Sequence, residues 1–354
     1  MSLSGSNSGA LRPYTAREMI EEATSRAGII PTRLTSEVVE KSLDQLNLTF
    51  TSLVNRGIQL WKRQKMILPC YQAEANVPLP MGVNLVDKLT RRGLSRVSGG
   101  APFSTNGGTA LFAFDDDFAT ACTQTTPNGS IGMVLPQAQQ VTSVGVLFGV
   151  AMEVTLFAEW SNDGVTWVAL NAVTGVVSKG QWVWFDLDGA PQALQWRVRS
   201  VSAISWIADE VFLGYNPSEI PLDPWNLDEY NSMPNKTSPG PVLNYYQQRD
   251  VDAPYLIVWP VPNAAAKYDQ LVVWVREYLD EVSEPTQALD MPRRWYDAVT
   301  AQLARRLCRS LAEADFKRYE MLRGEEQEAI ELAEGEERDP APTNYDMGIS
   351  AYTS

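Results

Sequence analysis

The 354 residues carry 43 acidic against 29 basic side chains, a formal charge of −14, which excludes a general nucleic-acid binder because DNA affinity is built from Lys and Arg neutralising phosphates. Histidine is absent, so the commonest general base and the commonest metal ligand are both missing. With 44% hydrophobic and 10% aromatic residues, the chain can bury sizeable cores, and its length suits two or three domains.

Residues 1–13 are rich in Ser and Gly and hold no apolar stretch, so no secretory signal is expected there. Thr15-Ala-Arg-Glu18 fits a capping box, in which the hydroxyl takes the amide three residues on and the Glu reaches back. Met19, Ile20, Ala23 and Ala27 follow on one helical face, and Gly28 and Pro31 end the helix. A second helix is expected from Thr35 or Ser36, with Val39, Leu43, Leu46, Phe50, Leu53 and Val54 at helical spacing, ending near Gly57 or running on to Trp61.

Lys65–Tyr71, Val77–Pro80 and Val83–Leu89 read as short strands broken by turns. From Gly99 to Tyr215 the composition shifts. Residues 101–215 hold Lys179, Arg197 and Arg199 against ten acids, and six of the eleven tryptophans: Trp160, Trp167, Trp182, Trp184, Trp196 and Trp206. Strands alternate with turn signals, as in Val154–Trp160, Asn162-Asp-Gly164 and Val165–Leu170, which is the pattern of a β-sandwich. The apolar run Val144–Met152 is too short for a membrane span and too β-branched for a helix, so it is expected to be one buried strand with a bend.

Residues 216–240 are rich in Pro, Asn and Asp and read as a loop. Strands resume at Val242–Gln248, Tyr255–Val261 and Gln270–Tyr278, with a tight turn at Pro260-Val-Pro-Asn263. Asp290 and Pro292 mark a helix start. Trp295, Val299, Leu303, Leu307 and Leu311 then recur at i, i+4, with Arg294, Arg305 and Arg309 on the other face. A last helix is expected from Ala314 to Glu336. Residues 340–354 have no helical period but carry Tyr345, Met347, Ile349 and Tyr352, a pattern that suits either a frayed terminus or an arm that orders against a partner.

Elements of similar chemistry thus flank one block, as an insertion produces. The expected fold class is α+β multidomain. A discontinuous helical body with small β elements is assigned to 1–98 and 216–339, an inserted antiparallel β-sandwich to 99–215, and an extended arm to 340–354.

No P-loop, dinucleotide fingerprint, nucleophile elbow or HExxH motif is present, and no enzymatic activity is expected. An acid-pair glycosidase would need two carboxylates facing a cleft. Cys70, Cys122 and Cys308 are far apart, so reduced, buried thiols are expected rather than a disulfide framework or zinc site. Asp115-Asp-Asp117 suits either a solvated turn whose carboxylates cap amides or a calcium site using Asp115 and Asp117. The insert's tryptophans suit either a core or a sugar-stacking platform. Arg305, Arg309, Lys317 and Arg318, set against an acidic run that includes Glu325 and Glu326, suit pairing between neighbouring helices or a solvated face, and also an interface between ring subunits; these readings are not exclusive. The Asn47 and Asn235 sequons carry no weight without a secretory signal.

Two resemblances extend this. Lys65–Leu89, Asp228–Thr237 followed by Tyr245-Tyr246, Ile257–Asn263 and the helix Pro292–Leu311 come in the order found in phage head-to-tail adaptors of the head-completion, packaged-DNA stabilisation type. The flanks therefore resemble that family. The resemblance implies a non-enzymatic virion protein made in the host cytoplasm. It implies a homo-oligomeric ring, usually of twelve copies, that docks on the portal, retains packaged DNA and offers the tail attachment surface. Its partners would be the portal, tail or nozzle proteins and passing double-stranded DNA contacted without sequence specificity, with no membrane. Residues 340–354 would be the portal-binding arm, anchored by Tyr345, Met347, Ile349 and Tyr352. The insert is similar to discoidin-like, galactose-binding-like sandwiches through Ala113-Phe-Asp-Asp-Asp117, Glu159–Trp167 and Trp196-Arg-Val-Arg199, with Cys122 where a Trp is usual. That likeness implies an alternative role, a carbohydrate-binding module of a phage or bacterial surface protein.

Overall fold

The computed structural model describes residues 14–30, 35–57, 62–125, 128–201, 205–250, 254–311 and 314–337. In chain order these form α1 (Ala16–Arg26), α2 (Ser36–Arg56), β1 (Arg63–Pro69), β2 (Asn76–Pro78), β3 (Val83–Arg96), β4 (Ala101–Ser104) and β5 (Cys122–Gln124). There follow β6 (Ser130–Gln140), β7 (Ser143–Phe148), β8 (Met152–Ser161), β9 (Val168–Val177), β10 (Trp182–Asp186), β11 (Gln192–Ser200) and β12 (Trp206–Pro221). The last stretch holds β13 (Asp223–Trp225), α3 (Leu227–Ser232), β14 (Pro239–Gly240), β15 (Asn244–Gln248), β16 (Tyr255–Trp259), β17 (Val261–Pro262), β18 (Gln270–Glu277), α4 (Tyr296–Ser310) and α5 (Tyr319–Glu337). The chain divides into two compact units, one of Met1–Arg63 with Arg276–Ser354 and one of Gln64–Val275.

The first unit is helical and is built from both chain ends. α1 opens with the expected capping box between Thr15 and Glu18. α2 has Thr35 as its N-cap and closes on Gly57, whose φ of 71° suits a residue without a Cβ. Met19, Ile20, Leu46, Leu53, Trp295, Val299, Leu303 and Leu307 are essentially buried and share one core. Each such side chain stabilises by about 1.5–3 kcal/mol relative to exposure. Polar tethers add to this closure. The Asn47 side chain donates to the Val282 carbonyl at 3.1 Å and accepts the Val282 amide at 2.9 Å. The Tyr14 carbonyl takes the Leu289 amide at 2.9 Å. Lys62, only 8% exposed, sits between Asp280 at 3.1 Å and Asp290 at 2.7 Å.

The second unit is β. Its large sheet runs β1-β18-β3-β12-β7-β10, with β5 beside β12, and a five-stranded sheet runs β4-β6-β11-β8-β9. Val144, Val146, Phe148, Val211 and Leu213 from the large sheet meet Ile131, Leu156, Trp196 and Val198 from the other in one core, the build of a β-sandwich. The Trp184 ring lies on Gly145, its cross-strand partner. A Cβ there would come within 2.6 Å of the ring, so the strand position accepts only glycine.

Three expectations are corrected. The run Val144–Met152 is not one bent strand. β7 belongs to the large sheet and β8 to the five-stranded one, so the chain changes sheets at Gly149–Ala151. Residues 216–221 are not loop but the second half of β12, paired with β3 from Ser218↔Gly93 to Pro221↔Thr90. A register shift between Tyr215 and Ser218, with Asn216 at φ 50°, absorbs Pro217. For the same reason the chain does not divide at 98/99 and 215/216: β12 crosses the second boundary and β3 pairs along it, so the small β elements belong with the sandwich and the helical unit is correspondingly smaller.

Leu46→Ala in α2 and Leu303→Ala in α4 should each cost about 2–5 kcal/mol by urea unfolding. Both variants should move the same transition.

Candidate functional site

The acidic turn is the most elaborate polar feature of the β unit. A single 3-10 turn at Ala110–Ala113 leads into it. Asp115 Oδ1 accepts the Asp117 amide at 3.1 Å, and Asp117 Oδ1 accepts the Ala119 amide at 3.0 Å. The Thr120 hydroxyl lies 2.9 Å from Asp115 Oδ2, 2.9 Å from the Asp117 carbonyl and 3.2 Å from the Phe112 carbonyl. Such oxygens are the class that calcium takes. Asp115, Asp117 and Thr120 are the side chains that would hold it. Among the described residues no group of three or more His, Cys, Asp or Glu converges as a metal cluster.

Asp116 points away from its neighbours, with φ 71°, a conformation that Asp tolerates better than most residues. Its carboxylate meets Lys267 Nζ at 2.8 Å, Arg96 at 3.0 Å and the Tyr268 hydroxyl. Glu210, fully buried, pairs with the same Arg96 and accepts the Asp116 amide at 3.1 Å. Around this network Phe118, Trp182, Trp184, Phe212 and Tyr268 form an aromatic cluster, with Phe212 and Tyr268 centroids 4.6 Å apart and Trp182 and Trp184 4.9 Å apart. Lys267 sits 5.3 Å from the Phe118 centroid and 4.9 Å from that of Tyr268.

Burial pushes the Glu210 carboxyl up to about 7, against the pull of Arg96. For Asp116 burial works the same way, but the hydrogen bonds from Lys267 and Tyr268 and the charges of Lys267 and Arg96 win, holding it below the usual carboxylate range. Burial and the Asp116 hydrogen bond raise the Tyr268 hydroxyl. The three carboxylates therefore divide. Asp115 and Asp117 shape the turn and face water, while Asp116 bolts the turn to the sheet.

The other expected sites fall out as follows. The six tryptophans do not form a platform. Trp182, Trp184, Trp196 and Trp206 are buried. Trp160 and Trp167 are half-buried, and Trp167 is covered by the Arg197 guanidinium 3.9 Å from its ring centroid. Exposed aromatics lie instead beside the acidic turn, with Phe112 40% and Phe118 38% exposed. The Asn162-Asp-Gly164 turn forms as expected. Amides of Thr166 and Val165, both at 2.8 Å, and the Ser161 hydroxyl hold the Asp163 carboxyl well below its ordinary range. Arg305 pairs with Glu326, which is only 6% exposed, and so joins α4 to α5. Arg309 places its guanidinium 5.8 Å from the Tyr319 ring centroid, and Arg318 donates to the Arg26 carbonyl at 3.3 Å. Lys317 and Glu325 are exposed. Tyr345, Met347, Ile349 and Tyr352 lie outside the described residues. Cys70, Cys122 and Cys308 are buried and free, and burial pushes the Cys70 thiol up to about 12.

The Arg96–Asp116–Glu210–Lys267–Tyr268 network was not anticipated from sequence, because its members lie up to 172 residues apart. One signal was available: the adjacent acids Asp209 and Glu210 interrupt the apolar stretch from Ile207-Ala208 to Val211-Phe-Leu213 of β12, where an acid turned to the core must be paired.

No known family model matches the chain, and no curated protein resembles it in sequence. Solved structures similar to part of it are sandwich domains covering about a third of its length. One is the F5/8 type C domain of a Bacteroides fragilis protein (14% identity, 35% of this chain, 97% of that one, TM-score 0.31). A second is a chitosan-binding module of a chitosanase/glucanase from Paenibacillus sp. IK-5 (19% identity, 33% and 94%, TM-score 0.29). A third is the family 32 carbohydrate-binding module of C. perfringens NanJ in complex with galactose (12% identity, 33% and 93%, TM-score 0.30).

The buried Glu210 has a pH consequence. Its folded-state value, about 7, exceeds the ordinary 4.5, so its contribution favours the folded state most below pH 4.5 and is lost as pH rises through 7. Glu210→Gln should flatten that part of the stability-versus-pH curve, measured by urea unfolding from pH 4 to 8.

Proposed function

We propose that this protein is a non-catalytic binding protein whose β-sandwich recognises carbohydrate at the acidic turn. The observation that carries the reading is the placement of exposed Phe112 and Phe118 beside the Asp115 and Asp117 carboxylates on a turn bolted to the sheet through Asp116. Sugar rings offer apolar C–H faces that stack on aromatics and hydroxyls that donate to carboxylates. A rigid platform lowers the ordering cost of binding. Galactose is bound by one of the solved modules named above, but the reading rests on this chain's own residues. Glycan-array binding lost in Phe112→Ala, with unfolding unchanged, and in Phe118→Ala, with a modest loss of stability because its ring packs on Trp182 and Tyr268, is the expected result. An array with no signal for the unaltered protein would refute the reading.

A second reading concerns the helical unit. The sharing of one apolar core by α1, α2, α4 and α5 favours the head-to-tail adaptor, a body built from both chain ends and used for assembly on a phage portal. Arg309, Lys317, Arg318 and Glu325 would then serve the contact between ring subunits, and residues 340–354 the portal contact. Mixing the protein with portal and imaging the product by negative stain tests this. The expected outcome is a ring on the portal, impaired by deletion of 340–354 without loss of melting temperature. A monomer that never joins the portal would refute it.

A further inference from the structure

A pocket of about 290 Å³ lies on the β3–β12 ladder of the large sheet. Arg91 and Gly93 of β3 stand opposite Ile220 and Ser218 of β12, so these four residues share one face of the ladder and line the pocket together. Arg92 and Glu219, between them in register, turn to the other face and pair with each other at 2.7 Å. Pro241, Asn263, Ala265 and Asp269 complete the lining. Backbone bonds fix Asp269: its amide donates to the Ala266 carbonyl at 2.9 Å, and its carbonyl accepts the Cys70 amide at 3.2 Å. Gly93 keeps the carboxylate uncovered. A Cβ there would stand 3.8 Å from Asp269 Oδ1, in ordinary contact, so a larger side chain would lie against it.

Among the described residues, Arg91 and Asp269 are the only charged side chains on this lining. They are 16% and 23% exposed, yet Arg91 Nε stands 3.8 Å from the nearer Asp269 oxygen. That is well beyond the roughly 2.7–2.9 Å of a charge-assisted hydrogen bond. Each group therefore keeps bonding capacity that the other does not take. Burial raises the Asp269 carboxyl against the pull of Arg91, as befits a carboxylate short of donors. Asn263 Oδ1 accepts the Ala265 amide at 3.1 Å, which leaves its Nδ2 to donate.

The two charges select the occupant. A simple anion would pair with Arg91 but be repelled by Asp269, and a simple cation would meet the reverse. A zwitterion whose ammonium and carboxylate share one carbon satisfies both. Ile220, 43% exposed, with Pro241 and Ala265, offers apolar surface for a short side chain. The volume falls at the small end of ligand sites, which begin at about 300 Å³. We propose that this pocket binds a free α-amino acid with a short apolar side chain, its carboxylate on Arg91 and its ammonium on Asp269. The ligand then bridges the pair and supplies the donors that Asp269 lacks. The pocket shares no residue with the acidic turn, so this site and the carbohydrate reading stand or fall separately.

The test is a saturation-transfer NMR titration of the full-length chain with L-alanine, L-valine and L-leucine. At least one of the three should bind saturably. Its decarboxylated and deaminated counterparts, for valine isobutylamine and isovalerate, should each bind about tenfold more weakly or worse, because each leaves one buried charge unpaired. Asp269→Asn keeps the shape of the side chain and should weaken the amino acid about tenfold. Gly93→Val, at a strand position with room for a Cβ, should keep the melting temperature and abolish binding by filling the pocket. No saturable binding of any of the three would overturn the proposal. So would equal binding of the amine or the acid, or affinity indifferent to either substitution.

Discussion

The helical unit depends on the burial of side chains from one chain end against those from the other. Met19, Ile20, Leu46 and Leu53 belong to the first 56 residues, and Trp295, Val299, Leu303 and Leu307 come more than two hundred residues later. Neither set makes a core alone. α1 has 11 residues and α4 has 15, lengths at which an isolated helix in water is marginal. The contact is also long-range, so it carries a loop-closure entropy, which grows only slowly with the length of the intervening chain. The polar tethers at Asn47–Val282 and Tyr14–Leu289 set the register of that closure, and Asp280 and Asp290 neutralise the buried Lys62 amine.

A comparable constraint organises the β unit. β3 and β12, at 14 and 16 residues, are the two longest described strands, and their ladder puts β1 and β18 into the same sheet as β7 and β10 of the sandwich. Arg92, 5% exposed, reinforces that sheet by reaching Glu219 on β12 at 2.7 Å and Asp186 on β10 at 2.7 Å. On this base the acidic turn, shaped by its own Asp115, Asp117 and Thr120 hydrogen bonds, is tied to the sheet by charges. Asp116 and Glu210 are both tied to Arg96, so the exposed part of the turn, with Asp115, Asp117, Phe112 and Phe118, is presented on a fixed support. Fixed support lowers the ordering cost that any contact at a small exposed turn would meet.

Local chemistry was legible in the sequence, and long-range chemistry was not. Thr15 with Glu18, Thr35, and Asn162-Asp-Gly164 act within a few residues, and each forms as its spacing requires. The i, i+4 ladder from Trp295 to Leu311 states its own buried face. The run Val144–Met152 could not reveal its change of sheet, because residues on both sides are equally apolar and β-branched while the break is a glycine. Asn216-Pro217 reads as a loop, since the bulge that accommodates proline in β12 is decided by the partner strand. The tryptophans spoke to composition but not to exposure. What buries Trp182 and Trp184 is Phe212 and Tyr268, far off in sequence. The acidic turn was visible as three adjacent carboxylates, but which of them pairs with distant cations was decided by Arg96 and Lys267.

Native-state hydrogen exchange in low urea measures the central closure most directly. If both chain ends form one cooperative core, the slow amides of α1, α2 and α4 will open with a common free energy and a common urea dependence. If α1 and α2 open at lower free energy while α4 stays protected, the ends are separate modules and the account fails.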